Sequence, residues 1–179
     1  MTTTIKHHTV KAAADIIKNG GVIVYPTDTV WGLGCNALDA AAVAKLRQIK
    51  QKPADSPLIW LLPSIKAVQK FCGTLTRDEI KLLNRKHTTV IVHGQGVRVV
   101  KNGWLNKFVQ ACQTPVVSTS ANLHGQPTVH SWRQAVQIFD AKVDAVVRGR
   151  RVLKNVPSTI VQVKEGQTVV IRGIPMNNE

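Results

Sequence analysis

Long apolar runs are missing from this sequence. No stretch approaches the roughly 18 consecutive apolar residues that a membrane-spanning helix requires, although 44% of the 179 residues are hydrophobic. The first eight residues also lack the apolar centre of a secretory signal peptide. We therefore expect a cytoplasmic protein without a membrane anchor. The length fits a single domain over residues 1–179.

Cysteine and acidic residues are scarce. Cys35, Cys72 and Cys112 are far apart and form no CxxC pattern, so neither a disulfide framework nor a zinc site is expected. No acidic residue occurs between Ile80 and Phe139. This segment therefore offers no paired carboxylates for acid–base hydrolysis, and positioning with charge neutralisation is the better expectation.

A GxxxxGK[ST] phosphate loop is also absent. Any bound triphosphate must therefore be held by separate lysine, arginine and hydroxyl groups. Such cations are plentiful, because 24 Lys and Arg residues against 10 Asp and Glu residues give a formal charge of +14. This excess favours binding to RNA or nucleotide phosphates. A basic surface without any specific partner is the alternative.

Helical and strand patterns alternate along the chain. Cap residues and apolar periodicity predict helices at 9–18, 39–49, 76–83, 104–112 and 131–139. Short β-rich runs predict strands at 22–25, 58–62, 89–93, 97–100, 115–118, 145–147, 159–163 and 168–171, with a hairpin turn at 94–96. The mixture of crossovers and hairpins predicts an α/β fold with a sheet of mixed direction.

Small polar and basic residues are concentrated in four segments that follow predicted elements, at 26–34, 50–57, 118–128 and 157–159, with Arg172 further on. Ligands of open α/β sheets bind beyond strand ends, so these segments are candidate binding loops. Two explanations of the second segment stay open. Its lysines can offset the dipole of the preceding helix, or they can hold phosphate.

These segments, in this order, resemble the YrdC-like family of threonylcarbamoyl-AMP synthases. The matching stretches are YPTDTVWGLGC (25–35), the lysine loop through 59, GVRV (96–99), STSANLHGQP (118–127), PST (157–159) and IRG (171–173). The resemblance implies an open twisted mixed sheet flanked by helices, with a concave basic face. It implies the conversion of L-threonine, bicarbonate or CO2, and ATP with Mg²⁺ into threonylcarbamoyl adenylate and pyrophosphate. Partner proteins then modify tRNA.

The resemblance also implies roles for particular residues. Those that contact threonine would be Thr29, Arg98, Ser118 and Ser158. Those on the nucleotide side would be Lys50, Lys52, Ser56, Ser120, Asn122, Thr128 and Arg172. Lys50 and Lys52 would be catalytic, because they neutralise charge on the phosphates. No resident metal site is implied.

Several positions depart from the family pattern. Lys52 stands where arginine is usual, Ser56 where asparagine is common, and Leu61 where many members carry a threonine-binding histidine. Residues 84–87 replace a Trp-Pro-Gly-Pro stretch, and the segment that follows is shorter. A non-catalytic module of the same fold that binds tRNA or double-stranded RNA is the rival hypothesis. Carbamoyl transfer in a maturation factor is a third, although it normally involves additional domains.

Overall fold

A computed structural model describes residues 2–6, 9–51, 56–101, 103–123, 125–149 and 156–173. These residues form six helices, α1 (Val10–Lys18), α2 (Ala40–Lys50), α3 (Ile65–Cys72), α4 (Arg77–Leu83), α5 (Gly103–Cys112) and α6 (Trp132–Phe139). They also form ten strands, β1 (Thr3–Lys6), β2 (Ile23–Tyr25), β3 (Gly32–Asn36), β4 (Ile59–Leu62), β5 (Thr88–Val92), β6 (Gln95–Val99), β7 (Val116–Ser120), β8 (Ala145–Arg148), β9 (Thr159–Lys164) and β10 (Gln167–Arg172). None of these helices is long and apolar enough to cross a bilayer.

The strands form one open sheet in the order β1-β8-β2-β3-β7-β4-β6-β5-β9-β10. Four neighbouring pairs are parallel, β1–β8, β2–β8, β4–β6 and β5–β9. The remaining five pairs are antiparallel. The prediction of an open α/β sheet of mixed direction, flanked by helices, is therefore confirmed.

Helices cover the two faces of the sheet unequally. On one face, α2 and α6 pack against β2, β3 and β7, while α3 and α4 pack against β4, β5 and β6. On the other face, α1 and α5 bury side chains of β2, β7 and β8, including Tyr25 and Val116. The part of this second face that β6, β5 and β9 form is where a cavity lies.

Local cap chemistry sets several helix starts. The side chains of Asp39 and Ser131 accept hydrogen bonds from the third residue after them and cap α2 and α6, as predicted. Thr76 and Glu79 form the predicted capping box of α4. These interactions join residues only three positions apart, so they can be recognised in the sequence alone.

Some predicted element boundaries were wrong, and three elements were missed. Residues 32–36 form β3, whereas the sequence predicts a binding loop over 26–34. β7 extends to Ser120, so the third polar segment begins on a strand. The β5–β6 turn lies at His93 and Gly94, which have φ of 46° and 84°, so β6 already begins at Gln95. β1 and α3 were not predicted.

Glycine explains the error at β3. Glycine usually weakens a strand, so a GLGCN run does not suggest one. Here a Cβ on Gly34 would lie 2.2 Å from the carbonyl oxygen of Val117 and 2.8 Å from the Tyr25 hydroxyl. The absence of a side chain at Gly32 and at Gly34 therefore leaves room for the Tyr25 ring beside β3. Packing between distant residues, which sequence periodicity does not reveal, selects glycine at this strand.

Candidate functional site

A cavity of about 290 Å³ lies over β7, β4, β6, β5 and β9. Loops close its rim at residues 27–30, 57–58 and 157–158, and the end of β10 closes it on the far side. All four residues expected to contact threonine line it, namely Thr29, Arg98, Ser118 and Ser158. Ser120 and Arg172, which were expected on the nucleotide side, line it as well. The chain thus gathers parts of all four polar segments around one space, although the segment at 50–57 contributes only Pro57.

Arg98 is the buried cation of this cavity. It lies on β6 and is 6% exposed. Its Nη1 donates a hydrogen bond to Thr29 Oγ1 at 3.0 Å, and its Nη2 donates to Asp28 Oδ1. A guanidinium group has five N–H donors in a planar fork that matches a carboxylate. This fixed cation is therefore suited to bind an anionic group of a ligand.

A compact turn positions the Thr29 hydroxyl. Thr27 Oγ1 accepts hydrogen bonds from the backbone N–H groups of Thr29 and Val30, at 3.1 and 3.2 Å. The hydroxyls of Thr27 and Thr29 are also 3.0 Å apart. Hydroxyl groups that bond backbone two or three residues away are typical of tight turns. The PTDT segment therefore folds so that Thr29 faces Arg98.

The opposite rim is built around Ser158. Its hydroxyl lies 2.9 Å from Thr89 Oγ1, and both groups are buried. Arg172 Nη2 lies 3.5 Å from the Ser158 carbonyl oxygen, at the limit of a hydrogen bond. The backbone N–H of Thr159 donates to the His87 carbonyl oxygen at 3.0 Å. Thr89 and His87, which were not predicted as site residues, therefore support this rim.

The floor of the cavity has a polar and an apolar part. Arg98 lies beside Leu61 in the sheet register, and the next row on the same face contains Ile59, Gly96 and Ile91. Ile160 and Ile171 add apolar surface from β9 and β10. A floor with few polar groups at one end and apolar side chains at the other is typical of a small-molecule site. The apolar residues were missed because apolar strand residues normally indicate only a core.

Lys50 occupies a different place from the other predicted residues. It is 1% exposed, and its Nζ donates to the carbonyl oxygens of Ser120 and Asn122 and to Asn122 Oδ1, at 2.8, 2.7 and 2.6 Å. Asn122 Oδ1 also accepts from Ser120 Oγ at 2.7 Å. These contacts place the ammonium group beneath the end of β7. Its predicted role in charge neutralisation stays a prediction.

The remaining predicted residues are less central. Ser56 accepts a hydrogen bond from Arg47 Nη1 through its carbonyl oxygen at 2.8 Å. Ser56, Asn122 and the half-buried Thr128 do not belong to the set of described residues that line the cavity. Lys52 lies outside the described residues. The expected nucleotide side is thus only partly assembled from described residues.

Two buried groups of the core, one on each face of the sheet, are poor nucleophiles. Burial raises the pKa of the Tyr25 phenol above its ordinary value, and the ring packs against Phe108 with centroids 5.2 Å apart. Burial raises the pKa of Cys35 to about 12. Cys35 is a free cysteine. Both groups therefore remain protonated at neutral pH, and their role here is packing.

Comparison with known proteins identifies the family. Residues 15–173 match the Sua5/YciO/YrdC family, whose description is telomere recombination. The chain belongs to this family. A threonylcarbamoyl-AMP synthase from Cellvibrio japonicus is 32% identical over 89% of this chain and 94% of that protein. A threonylcarbamoyl-AMP synthase from Pyrococcus abyssi is 28% identical over 96% of this chain, which spans only 56% of that longer protein.

Solved Sua5/YciO/YrdC structures share the fold. A variant of Sua5 from P. abyssi is 26% identical, with a TM-score of 0.88 over 98% of this chain and 62% of that one. P. abyssi Sua5 in complex with L-threonine is 25% identical, with a TM-score of 0.85 over 96% of this chain and 57% of that one. E. coli YciO, at 22% identity, has a TM-score of 0.83 and covers 96% of this chain and 95% of its own.

Proposed function

We propose that this protein is an L-threonylcarbamoyladenylate synthase, a nucleotidyltransferase that acts on L-threonine, bicarbonate or CO2, and ATP. One observation carries the proposal. Thr29, Arg98, Ser118 and Ser158, four polar residues from four separate segments, line one cavity that continues over an apolar floor. The names of the two curated relatives and the threonine complex of Sua5 support the same activity.

The cavity divides naturally between an amino acid and a nucleotide. Arg98 would bind the threonine carboxylate through a charge-assisted pair of hydrogen bonds. The hydroxyls of Ser118, Ser158 and Thr29 would accept or donate to the remaining polar groups. Ile59, Gly96 and Ile91 provide a flat apolar surface in the next row, suited to a nucleobase.

The reaction needs positioning and charge stabilisation more than acid–base catalysis. The threonine amine condenses with bicarbonate and releases water, or adds to CO2 and releases a proton, and in either case gives a carbamate. A carbamate oxygen then attacks the α-phosphorus of ATP. The bond from that phosphorus to the bridging oxygen breaks, and pyrophosphate leaves. Arg172 and Ser120 line the cavity where they can contact phosphate oxygens. Lys52 is proposed as a further phosphate-binding cation, and an enclosed site protects the labile product from water.

Mg²⁺ is proposed to enter with ATP as part of the substrate. Among the described residues, no group of three or more His, Cys, Asp or Glu side chains is arranged to hold a metal ion. Mg²⁺ that accompanies a nucleotide is usually held mainly by phosphate oxygens and water. When bound, it would offset charge on the leaving pyrophosphate.

Delivery to RNA completes the proposal. We propose that cytoplasmic partner proteins transfer the threonylcarbamoyl group to an adenosine of tRNA, and that the basic surface binds tRNA weakly. The charge of +14 supports such binding. Affinity should fall steeply with added salt, because each phosphate contact releases counterions. Filter binding across a salt series tests this, and salt-insensitive binding would contradict it.

A non-catalytic RNA-binding module is not favoured, since RNA binding alone would leave the assembled cavity unexplained.

The activity is tested by an amino-acid panel. The protein is incubated with ATP, Mg²⁺, bicarbonate and each amino acid, while pyrophosphate is measured and AMP-linked product is identified by mass spectrometry. We expect release to require bicarbonate and to prefer threonine over serine by about 10–200-fold, the discrimination that one methyl group allows. Equal release without an amino acid would contradict the proposed function.

A further inference from the structure

Asp28 lies between two basic side chains at the rim of the cavity. Its Oδ1 accepts a hydrogen bond from Arg98 Nη2, and its Oδ2 lies 3.2 Å from His87 Nδ1. The side chain of Asp28 is 48% exposed, whereas that of Arg98 is only 7% exposed. The carboxylate can therefore move, while the guanidinium group is held in place by the surrounding sheet.

His87 is positioned to receive this carboxylate. Its Nδ1 is buried and has no hydrogen-bond partner among the described residues, because Asp28 Oδ2 is close but outside hydrogen-bond geometry. Buried polar groups without a partner are unusual in folded proteins and call for an explanation. His87 also has a left-handed backbone with φ of 56°, and its carbonyl oxygen is bound by Thr159 on the opposite rim. A small shift of Asp28 would thus complete a bond between the two rims.

We propose that Asp28 is a displaceable internal carboxylate that occupies Arg98 until the carboxylate of the amino acid substrate replaces it. This inference rests on the proposed function, in which Arg98 binds that substrate group. Two carboxylates at one guanidinium donor repel each other, so the incoming group must drive Asp28 away. His87 Nδ1 then becomes the partner of Asp28, while Arg98 Nη1 keeps its bond to Thr29. Asp28 and His87 are positioning residues that set amino-acid affinity and do not contact the reacting atoms.

Substitutions of Asp28 and His87 should have opposite effects on threonine binding. In Asp28→Asn the competing negative charge is gone, so threonine should bind more tightly. The apparent affinity for threonine is scaled by the fraction of molecules in which Asp28 leaves Arg98 free. Removing the competing charge restores the full affinity, and we expect about a threefold to tenfold gain. In His87→Ala the displaced carboxylate loses its new partner, so threonine should bind about threefold more weakly. In the Asp28→Asn background, His87→Ala should have no further effect, because the two changes are coupled.

The test combines titration calorimetry with L-threonine and steady-state kinetics on the full chain. Changes should appear in the threonine dissociation constant and KM, with the KM for ATP and kcat nearly unchanged. Asp28→Ser serves as a second variant, and thermal melting checks that each protein folds. Asp15→Asn is the matched control for Asp28, because Asp15 pairs with Lys11 on α1, outside the cavity. His93→Gln, in the β5–β6 turn, is the control for His87.

Several results would overturn the inference. Weaker threonine binding by both Asp28→Asn and Asp28→Ser would mean that Asp28 binds the substrate ammonium group or merely aligns Arg98. An undiminished effect of His87→Ala in the Asp28→Asn background would exclude the proposed exchange of partners. These results leave the proposed function intact when the unsubstituted protein still binds threonine and releases pyrophosphate. If the unsubstituted protein does neither, the proposed function itself fails, and this inference fails with it.

Discussion

Two buried cations of this protein have different surroundings. Arg98 is 6% exposed and lines the cavity, where it contacts the hydroxyl of Thr29 and the exposed carboxylate of Asp28. Lys50 is 1% exposed and does not belong to the described cavity lining, and its ammonium group donates to three oxygens of Ser120 and Asn122. An ammonium group has three N–H donors, the same number as these acceptors.

The surroundings of Arg98 suit it to bind a ligand, whereas those of Lys50 suit it to hold the end of β7 in place. A guanidinium group with donors to spare beside a cavity can exchange one partner for a ligand. An ammonium group that bonds the backbone at the end of a strand fixes that strand end instead. Burial alone therefore does not identify a catalytic cation. The acceptors, and whether they can be replaced by a ligand, decide the role.

The largest effect is expected at Arg98. In Arg98→Met the amino-acid carboxylate loses its partner, and threonine binding should weaken by about 2–5 kcal/mol, the usual effect of truncating one member of a buried charged pair. The KM for ATP should change far less. Steady-state kinetics with threonine and ATP varied separately measures both. Equal changes in the two constants would place Arg98 outside the amino-acid end of the cavity.

Lys52 extends the comparison to a cation outside the described residues. Lys52→Ala should lower turnover roughly tenfold to several hundredfold if it stabilises phosphate charge in the transition state. Lys52→Arg should keep or improve ATP use, since arginine can bind two phosphate oxygens at once. Turnover of both variants, with Lys66→Ala on α3 as a surface control, tests this. Normal turnover by Lys52→Ala would favour a helix-end charge without a phosphate contact.

At Lys50 the expected effect falls on stability and turnover together. Lys50→Met removes the donor from three oxygens, and buried acceptors left without partners cost about 1–3 kcal/mol. The free energy of unfolding from urea titration should fall by about that amount, and turnover should fall because the end of β7 is no longer fixed. Reduced turnover with unchanged stability would instead make Lys50 a direct phosphate ligand.

The smallest effect is expected for a half-exposed cation, Lys45. Its Nζ lies 2.7 Å from Asp144 Oδ2, with side chains 43% and 39% exposed. Burial by itself raises the pKa of Asp144, but hydrogen bonds from Lys45 and from the Val22 N–H outweigh it and lower the pKa below the ordinary value. Because the folded-state pKa is lowered, this stabilisation is present above the unfolded-state pKa and is lost as pH falls through the folded one.

Lys45→Met should therefore destabilise the fold by less than about 1 kcal/mol at neutral pH, the usual range for exposed ion pairs. The difference from the unsubstituted protein should shrink in acid and in high salt. Thermal melts at several pH values measure it. A difference that grows as the pH falls would contradict the assigned pKa direction.

Sequence patterns predicted what depends on neighbouring residues. The Thr76–Glu79 capping box and the Asp39 cap lie within three residues of their partners, and both helices begin where expected. The polar PTDT and STS motifs pointed to residues that do line the cavity. The partners of Lys50 and Arg98 were hidden because they lie about 70 residues away in the chain. Only the tertiary fold brings them together. β3 was mistaken for a loop because its glycines do not suggest a strand, although Gly34 packs closely against Val117 of β7.

The most direct test of the central claim follows labelled carbon. The protein is incubated with ¹⁴C-bicarbonate, ATP, Mg²⁺ and L-threonine, and nucleotide products are separated by chromatography. We expect label in a compound that also contains AMP, with one pyrophosphate released per labelled molecule. Arg98→Met should lose this label at low threonine and recover part of it at high threonine. ATP turnover without label in any AMP-linked product would contradict the account.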